Sequence, residues 1–451
     1  MTPPPPPPAS LALEQPAPHV GSLGTAYASV PVPRRGSFWR KLGAFMGPGY
    51  LIAVGYMDPG NWATDLAGGS RYGYSLLWVI VASNLMAMLL QALSAKLGIV
   101  AGRDLAQACR EHYSPPVRIL LWLLAEVAII ACDLAEVIGT AVALQLLFGI
   151  PMPLGVCLTG VNVAIAMLLE RRGFRKLEAL IAGLMVVVAV SLGIELILSR
   201  PDMAAIAGGL VPSAGMIHDP AMLFIAAGII GATVMPHNLY LHSAVVQTRQ
   251  LSGSLSSKRE AVFFATLDSV LALSLAMLVN AAILLLAASV FHPRGQPVED
   301  IAQAYHLLSP MLGVSAASLL FAIALLASGQ NSTLTGTMAG QVVMEGFTNL
   351  RMPVWARRSL SRALAIVPAA IVAAMFGNSG TAKLLLASQV VLTVQLPFAI
   401  VPLIRLTGSR AVMGEFANRR WVQWSAWIIA TLIAGVGLKL LFDLARSTLV
   451  G

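Results

Sequence analysis

Eleven stretches of this 451-residue chain are each long and apolar enough to demand lipid as their solvent, and that demand limits what the chain can fold into. A helix that crosses the hydrocarbon needs roughly 20 apolar residues. The stretches run approximately over 43–69, 76–100, 118–147, 153–169, 177–198, 222–246, 262–291, 311–347, 360–376, 384–404 and 421–445. They are continuous rather than alternating, so helices are predicted and a closed β-barrel is excluded. Composition agrees. Only 11% of the residues are charged and 57% are hydrophobic, whereas a soluble domain carries about a quarter charged residues. The predicted class is an all-α polytopic membrane protein with about eleven transmembrane helices.

The basic residues orient it. Of the 29 Lys and Arg, 23 fall in alternate loops on one side and 6 on the other. Among the 23 are Arg34, Arg35, Arg40 and Lys41, then Arg171, Arg172, Arg175 and Lys176. This asymmetry predicts a cytoplasmic N-terminus and an external C-terminus. It also accounts for the net charge of +9 without a nucleic-acid partner. Cys109, Cys132 and Cys157 show no paired or metal-site spacing, so no disulfide framework is implied. The first 33 residues are rich in Pro and Ala and lack a signal-type apolar core. Residues 1–40 are therefore read as a disordered cytoplasmic tail. Short loops and the lack of a targeting segment predict a bacterial cytoplasmic (inner) membrane.

Two of the apolar runs are interrupted. Asp58-Pro59-Gly60-Asn61 breaks the first, and Met235-Pro236-His237-Asn238 breaks the sixth. Proline removes an amide donor and clashes with the preceding turn, so each tetrapeptide unwinds its helix near the bilayer centre. Unwound backbone at that depth must be buried in protein or line a cavity. Each break lies in the first helix of a five-helix block, and an odd block length makes the two blocks enter the membrane from opposite sides. That is the signature of inverted repeats with a substrate site between them. The predicted division is residues 41–200 for the first repeat, 201–406 for the second, and 407–451 for the eleventh helix and C-terminus.

The broken segments carry ligand-type groups. Asp58 is an ionisable side chain at hydrocarbon depth, which marks function. Asn61 offers a neutral oxygen, and the freed carbonyls near Gly55 and Ala232 offer more. Met235 offers a thioether. One carboxylate, several neutral oxygens and one soft sulfur suit a transition-metal dication, whereas Ca²⁺ and Mg²⁺ prefer all-oxygen shells.

With these motifs the sequence resembles the Nramp family of proton-coupled divalent-metal transporters. Supporting stretches are Arg71–Trp78, Asp133–Glu136, Gly231–Ser243, Ala327–Phe347 and Ser388–Phe398, and the resemblance covers roughly residues 40–445. It implies the amino-acid/sodium symporter fold, with ten core helices in two inverted repeats plus an eleventh. It implies metal ligation by Asp58, Asn61, Met235 and the Ala232 carbonyl. The Gly55 carbonyl stands where some relatives are expected to carry Ala, and Gln389 resembles a residue that approaches the metal in some states. The implied activity is import of Mn²⁺ and Fe²⁺, with Co²⁺ and Cd²⁺, in symport with protons. Metal and protons are then cargo, no cofactor is expected, and a monomer is expected.

The third run carries Glu126, Asp133 and Glu136 on nearly one helix face. A carboxylate stripe inside a membrane helix is expensive unless it lines a polar path. Arg357 and Arg358 are its expected partners, and the resemblance implies that this line is the proton route from Asp58 towards the cytoplasm. His237 titrates near neutral pH and is a candidate relay or a bond across the break. His242, Asp65, Asp268 and Glu345 are expected to be structural or interfacial. Rival readings fare worse. An organic-substrate symporter would need the first break to receive a carboxylate, which Asp58 repels. A channel fits two buried helix breaks poorly. No HExxH or GxSxG motif supports an enzyme. Met235 argues against a related Mg²⁺ transporter.

Overall fold

The computed structural model describes residues 22–23, 26–33, 36–161, 174–213, 215–251, 253–298, 300–349 and 354–450. The described chain is helical, apart from one isolated parallel bridge between Val30 and Arg249. Eight helical runs are long and apolar enough to cross a membrane. The broken first helix and the stretch Arg362–Gly377 stand at two more of the eleven expected crossings.

Each interrupted span is a pair of helices in line. The first consists of Pro48–Gly55 and Pro59–Tyr72, and the sixth of Pro220–Val234 and Pro236–Val245. In all four halves a proline occupies the first turn, where its missing amide costs nothing. These halves are almost wholly buried. The eleventh span, Arg420–Val450, is mostly exposed on the outside of the bundle by contrast.

Two boundaries differ from expectation. The eighth span starts at Ala317 rather than 311, because Gly313 (φ 68°) ends a separate helix, Ile301–Leu312. The ninth and tenth spans join as one bent run, Val354–Gly408, kinked at Gly377 (φ 62°, ψ −150°). The fourth is described as Met152–Leu158, and the remainder of its expected range lies outside the described residues.

The stretch read as a disordered tail through residue 40 is partly packed. The Val30 amide donates to the Thr248 carbonyl at 2.9 Å, the Gln250 amide donates back to Val30 at 2.9 Å, and the Ser22 hydroxyl donates to Asp104 at 2.5 Å. Leu23 and Val30 are buried apolar contacts. A proline-rich composition does not exclude such strand-like docking, because an extended segment can satisfy its amides on a neighbour.

The same end of the molecule clamps the entry to the first span. Buried Arg249 donates to the carbonyls of Ala44, Phe45 and Met46 and to Glu178 at 2.7 Å. Asp268 accepts from the amides of Gly47 and Gly49, the latter at 2.6 Å. Asp268 thus has the structural role expected of it.

Candidate metal centre between two broken helices

Asp58 caps the second half of the first span. Its Oδ1 accepts from the Asn61 amide at 2.9 Å and from Asn61 Nδ2 at 2.7 Å. Its other oxygen, Oδ2, is buried and has no hydrogen-bond partner among the described residues. Asn61 Nδ2 also donates to the Ala232 carbonyl at 2.9 Å. One amide nitrogen therefore sits between a carboxylate from the first break and a carbonyl from the sixth. A hydrogen-bond donor bridging two oxygens occupies the position a cation between them would take. Asn61 is held from its other end by Asn280 on the seventh span, Leu255–Val290, whose Nδ2 lies 3.3 Å from Asn61 Oδ1 and 2.8 Å from the Tyr56 carbonyl.

Met235 is the hinge of the sixth span. It carries φ 38° and ψ 102°, a conformation a side chain rarely adopts, and it has no side-chain cap. Its sulfur accepts from Asn238 Nδ2 at 3.4 Å. Asn238 in turn presses on Gly55, where a Cβ would stand 2.4 Å from that nitrogen. Gln389, on the tenth span, approaches the first break as closely, since a Cβ on Gly60 would stand 2.2 Å from its Nε2. Glycine at both positions lets a side chain from another span reach the break.

Asp58, Asn61 and the Ala232 carbonyl are thus joined by hydrogen bonds across the two breaks, while the Met235 sulfur is tied to Asn238. Asp58, Asn61, Ala232 and Met235 are fully buried, as is Gln389. The Asp58, Asn238, Thr233 and Gln389 side chains each leave an oxygen without a hydrogen-bond partner among the described residues. These oxygens lie at the two breaks and on the tenth span beside them; unpaired buried side-chain atoms also occur elsewhere, among them both oxygens of Asp65 and of Glu195. Among the described residues no three His, Cys, Asp or Glu side chains gather at a point. The donor set is instead one carboxylate, amides, carbonyls and a thioether.

Beneath this centre lies the ionic line. Gly139 packs on Pro59, which fixes the level of the break on the third span, Pro115–Phe148. Glu136 and Asp133 lie one and two turns below it, and Glu126 about 20 Å below at 1.5 Å per residue. Arg362 is buried against both upper acids, 2.9 Å from Glu136 Oε2 and 3.5 Å from Asp133 Oδ1. Its Nη2 donates to Thr333 at 2.8 Å, and Ser332 donates to Glu136 at 2.8 Å. Glu126 accepts from Trp122 at 2.9 Å and is half-buried. The side chains of Arg357 and Arg358, the expected partners, lie outside the described residues; the arginine the structure places on the acids is Arg362. A signal for it existed, because Arg362 falls inside the ninth apolar run, where an arginine needs a carboxylate. Asn280 was also passed over, although it is a lone amide inside the seventh run.

His237 is buried beside the sixth break, and its Nδ1 is without a partner among the described residues. His242 belongs to a chain that closes the basic side of the site: Ser269 to His242 at 3.3 Å, His242 to Gln91 at 2.9 Å, Gln91 to Tyr56 at 2.9 Å.

Two interrupted helices meeting at a buried oxygen-and-sulfur cage, inside two inverted five-helix repeats, define a helical membrane protein of the broken-helix symporter architecture. At 14% identity the nucleobase-cation symporter Mhp1 shares that fold with a TM-score of 0.60, covering 93% of each chain. Residues 49–443 match the family of natural resistance-associated macrophage protein-like chains, Nramp, and the chain belongs to that family. It is 56% identical to a divalent metal cation transporter, MntH, of Xanthomonas campestris pv. campestris, over 95% of this chain and 97% of that one. A Nostoc relative of the same name is 54% identical, over 94% and 96%. The crystal structure of a manganese transporter variant from Eremococcus coleocola superposes with a TM-score of 0.85 at 43% identity, covering 93% of this chain and 90% of that one.

Proposed function

We propose that this protein imports divalent transition-metal ions, Mn²⁺ and Fe²⁺ foremost and Co²⁺ and Cd²⁺ with them, in symport with protons by alternating access. Its family and its named relatives make it a membrane metal-ion transporter and not an enzyme. The observation that carries the finer reading is the Asn61 amide lodged between Asp58 Oδ1 and the Ala232 carbonyl, at zero exposure. A half-turn of that amide exchanges its NH₂ for its oxygen. The pocket would then present Asp58, Asn61 Oδ1, the Ala232 and Gly55 carbonyls and the Met235 sulfur to an arriving dication, with Gln389 alongside. The sulfur favours transition metals over Mg²⁺ and Ca²⁺.

Protons leave Asp58 along Glu136, Asp133 and Glu126, with Arg362 balancing the upper acids. His237, Arg357 and Arg358 belong to the same route. The basic loops support a cytoplasmic N-terminus and an external C-terminus, and the bacterial relatives support a plasma-membrane location. A potential contributes about 2.3 kcal/mol per charge in each 100 mV, so an entering dication is pulled inward and a co-moving proton adds drive. The protein acts as a monomer and needs no cofactor. Proteoliposome uptake at clamped potential tests the coupling: Mn²⁺ entry is expected to rise as the external solution is acidified, and equal uptake at acidic and neutral external pH would refute symport.

A further inference from the structure

Arg40, Arg175 and Lys176, from two stretches far apart in the sequence, line one cavity at the basic end of the molecule. The cavity holds about 900 Å³. Its wall is formed by residues 29–33, by Arg40, Gly43 and Ala44, and by Phe174, Arg175 and Lys176 at the start of the fifth span, Phe174–Ser199. No acidic residue is among the described lining. Arg175 is committed, donating to Gly43 and Met46 carbonyls and to Glu178. Arg40 and Lys176 are exposed and have no carboxylate partner among the described residues.

The helix that supplies Arg40, Phe38–Phe45, is amphipathic. It buries Leu42 and Phe45 against Phe264 and Val246, and turns Trp39 outward at 76% exposure with Phe38 beside it. An exposed tryptophan next to arginine on a short helix leading into a span belongs at the headgroup level, lying in the interface plane. Basic pockets between spans at that level bind phospholipid headgroups.

We propose that this cavity binds the headgroup phosphate of an anionic phospholipid from the leaflet on the basic side, gripped by Arg40 and Lys176. The occupant is a lipid rather than a free anion, because Arg40 shares its short helix with the exposed Trp39 and Phe38, a pairing suited to the level of acyl chains and glycerol. The bound headgroup bridges the helix that enters the first broken span to the fifth span. The inference rests on the membrane placement proposed above and is independent of the metal chemistry.

Native mass spectrometry of the full chain, purified with phosphatidylglycerol and phosphatidylcholine in equal amount, tests it. The wild type is expected to retain phosphatidylglycerol in preference. Arg40→Ala/Lys176→Ala is expected to weaken that retention about thirtyfold, which is what two basic residues at an anionic surface are worth. Mn²⁺ binding by titration calorimetry, unchanged in the double variant, confirms that it is folded. Equal retention of both lipids by the wild type, or equal phosphatidylglycerol retention by both proteins, would overturn the proposal. So would displacement of the lipid by inorganic phosphate, which would make the cavity a free-anion site. If neither protein bound Mn²⁺ while the lipid preference stood, the transport reading would fail and this one would survive.

Discussion

The two helix breaks do the same topological job by different means. At the first, the chain leaves Gly55 with near-helical geometry and restarts at Pro59 under an Asp58 cap, one carboxylate oxygen satisfied and one free. At the sixth, no side chain caps the restart, and the whole turn is taken by Met235 at φ 38°. Strain of this kind costs about 1–3 kcal/mol and persists only where surroundings enforce it. The first break therefore brings charge in a relaxed backbone, and the sixth brings a soft sulfur and the Ala232 carbonyl on a strained one. Attraction for a dication and discrimination among dications reside on opposite sides of the same cage.

Substitutions separate these two roles. Asp58→Ala removes the charge and is expected to abolish Mn²⁺ uptake in proteoliposomes, since an unbalanced buried charge site is worth about 3–5 kcal/mol; residual uptake near the wild-type level would break the contrast. Arg362→Gln acts on the ionic line that hangs from the first break alone. It is expected to lower uptake roughly tenfold, about the worth of one lost charged hydrogen bond, and to flatten its dependence on external pH, measured as metal and proton flux together. Met235→Ala leaves the charge and removes the sulfur. Uptake is expected to persist while Ca²⁺ and Mg²⁺ become competitors, with discrimination falling about tenfold as the shell becomes all oxygen; competition uptake checks it. The smallest effect is expected for Gly60→Ala, whose methyl would meet Gln389 at 2.2 Å. A severalfold rise in KM should result, and Gln389→Ala in the same chain should relieve it.

Much of this was legible in the sequence because apolar runs, prolines and buried charges report backbone and solvent directly. The eleven spans, both breaks, and the Asp58–Asn61–Ala232–Met235 grouping follow from residue types at particular depths, with the family resemblance adding Gln389. What escaped depends on rotation and distance. Of Arg351, Arg357, Arg358 and Arg362 only Arg362 lies inside an apolar run, but rotation decides that its guanidinium turns onto Glu136. The pairing of Asn280 with Asn61 joins residues from the seventh and first spans, and a single chain carries no mark of such a contact. Docking of residues 26–33 on the end of the sixth span was hidden because Pro-rich composition speaks to intrinsic order and not to what lies beside it. The start of the eighth span was misplaced by six residues because 311–316 is apolar enough to read as helix, while Gly313 is in fact a stop.

X-ray absorption of the Cd²⁺-loaded protein, wild type beside Met235→Ala, asks directly whether both interrupted spans touch one ion. A single sulfur among oxygens around the metal, lost in the variant while the oxygens remain, is the expected result. An all-oxygen shell that does not change when Met235 is removed would contradict the account.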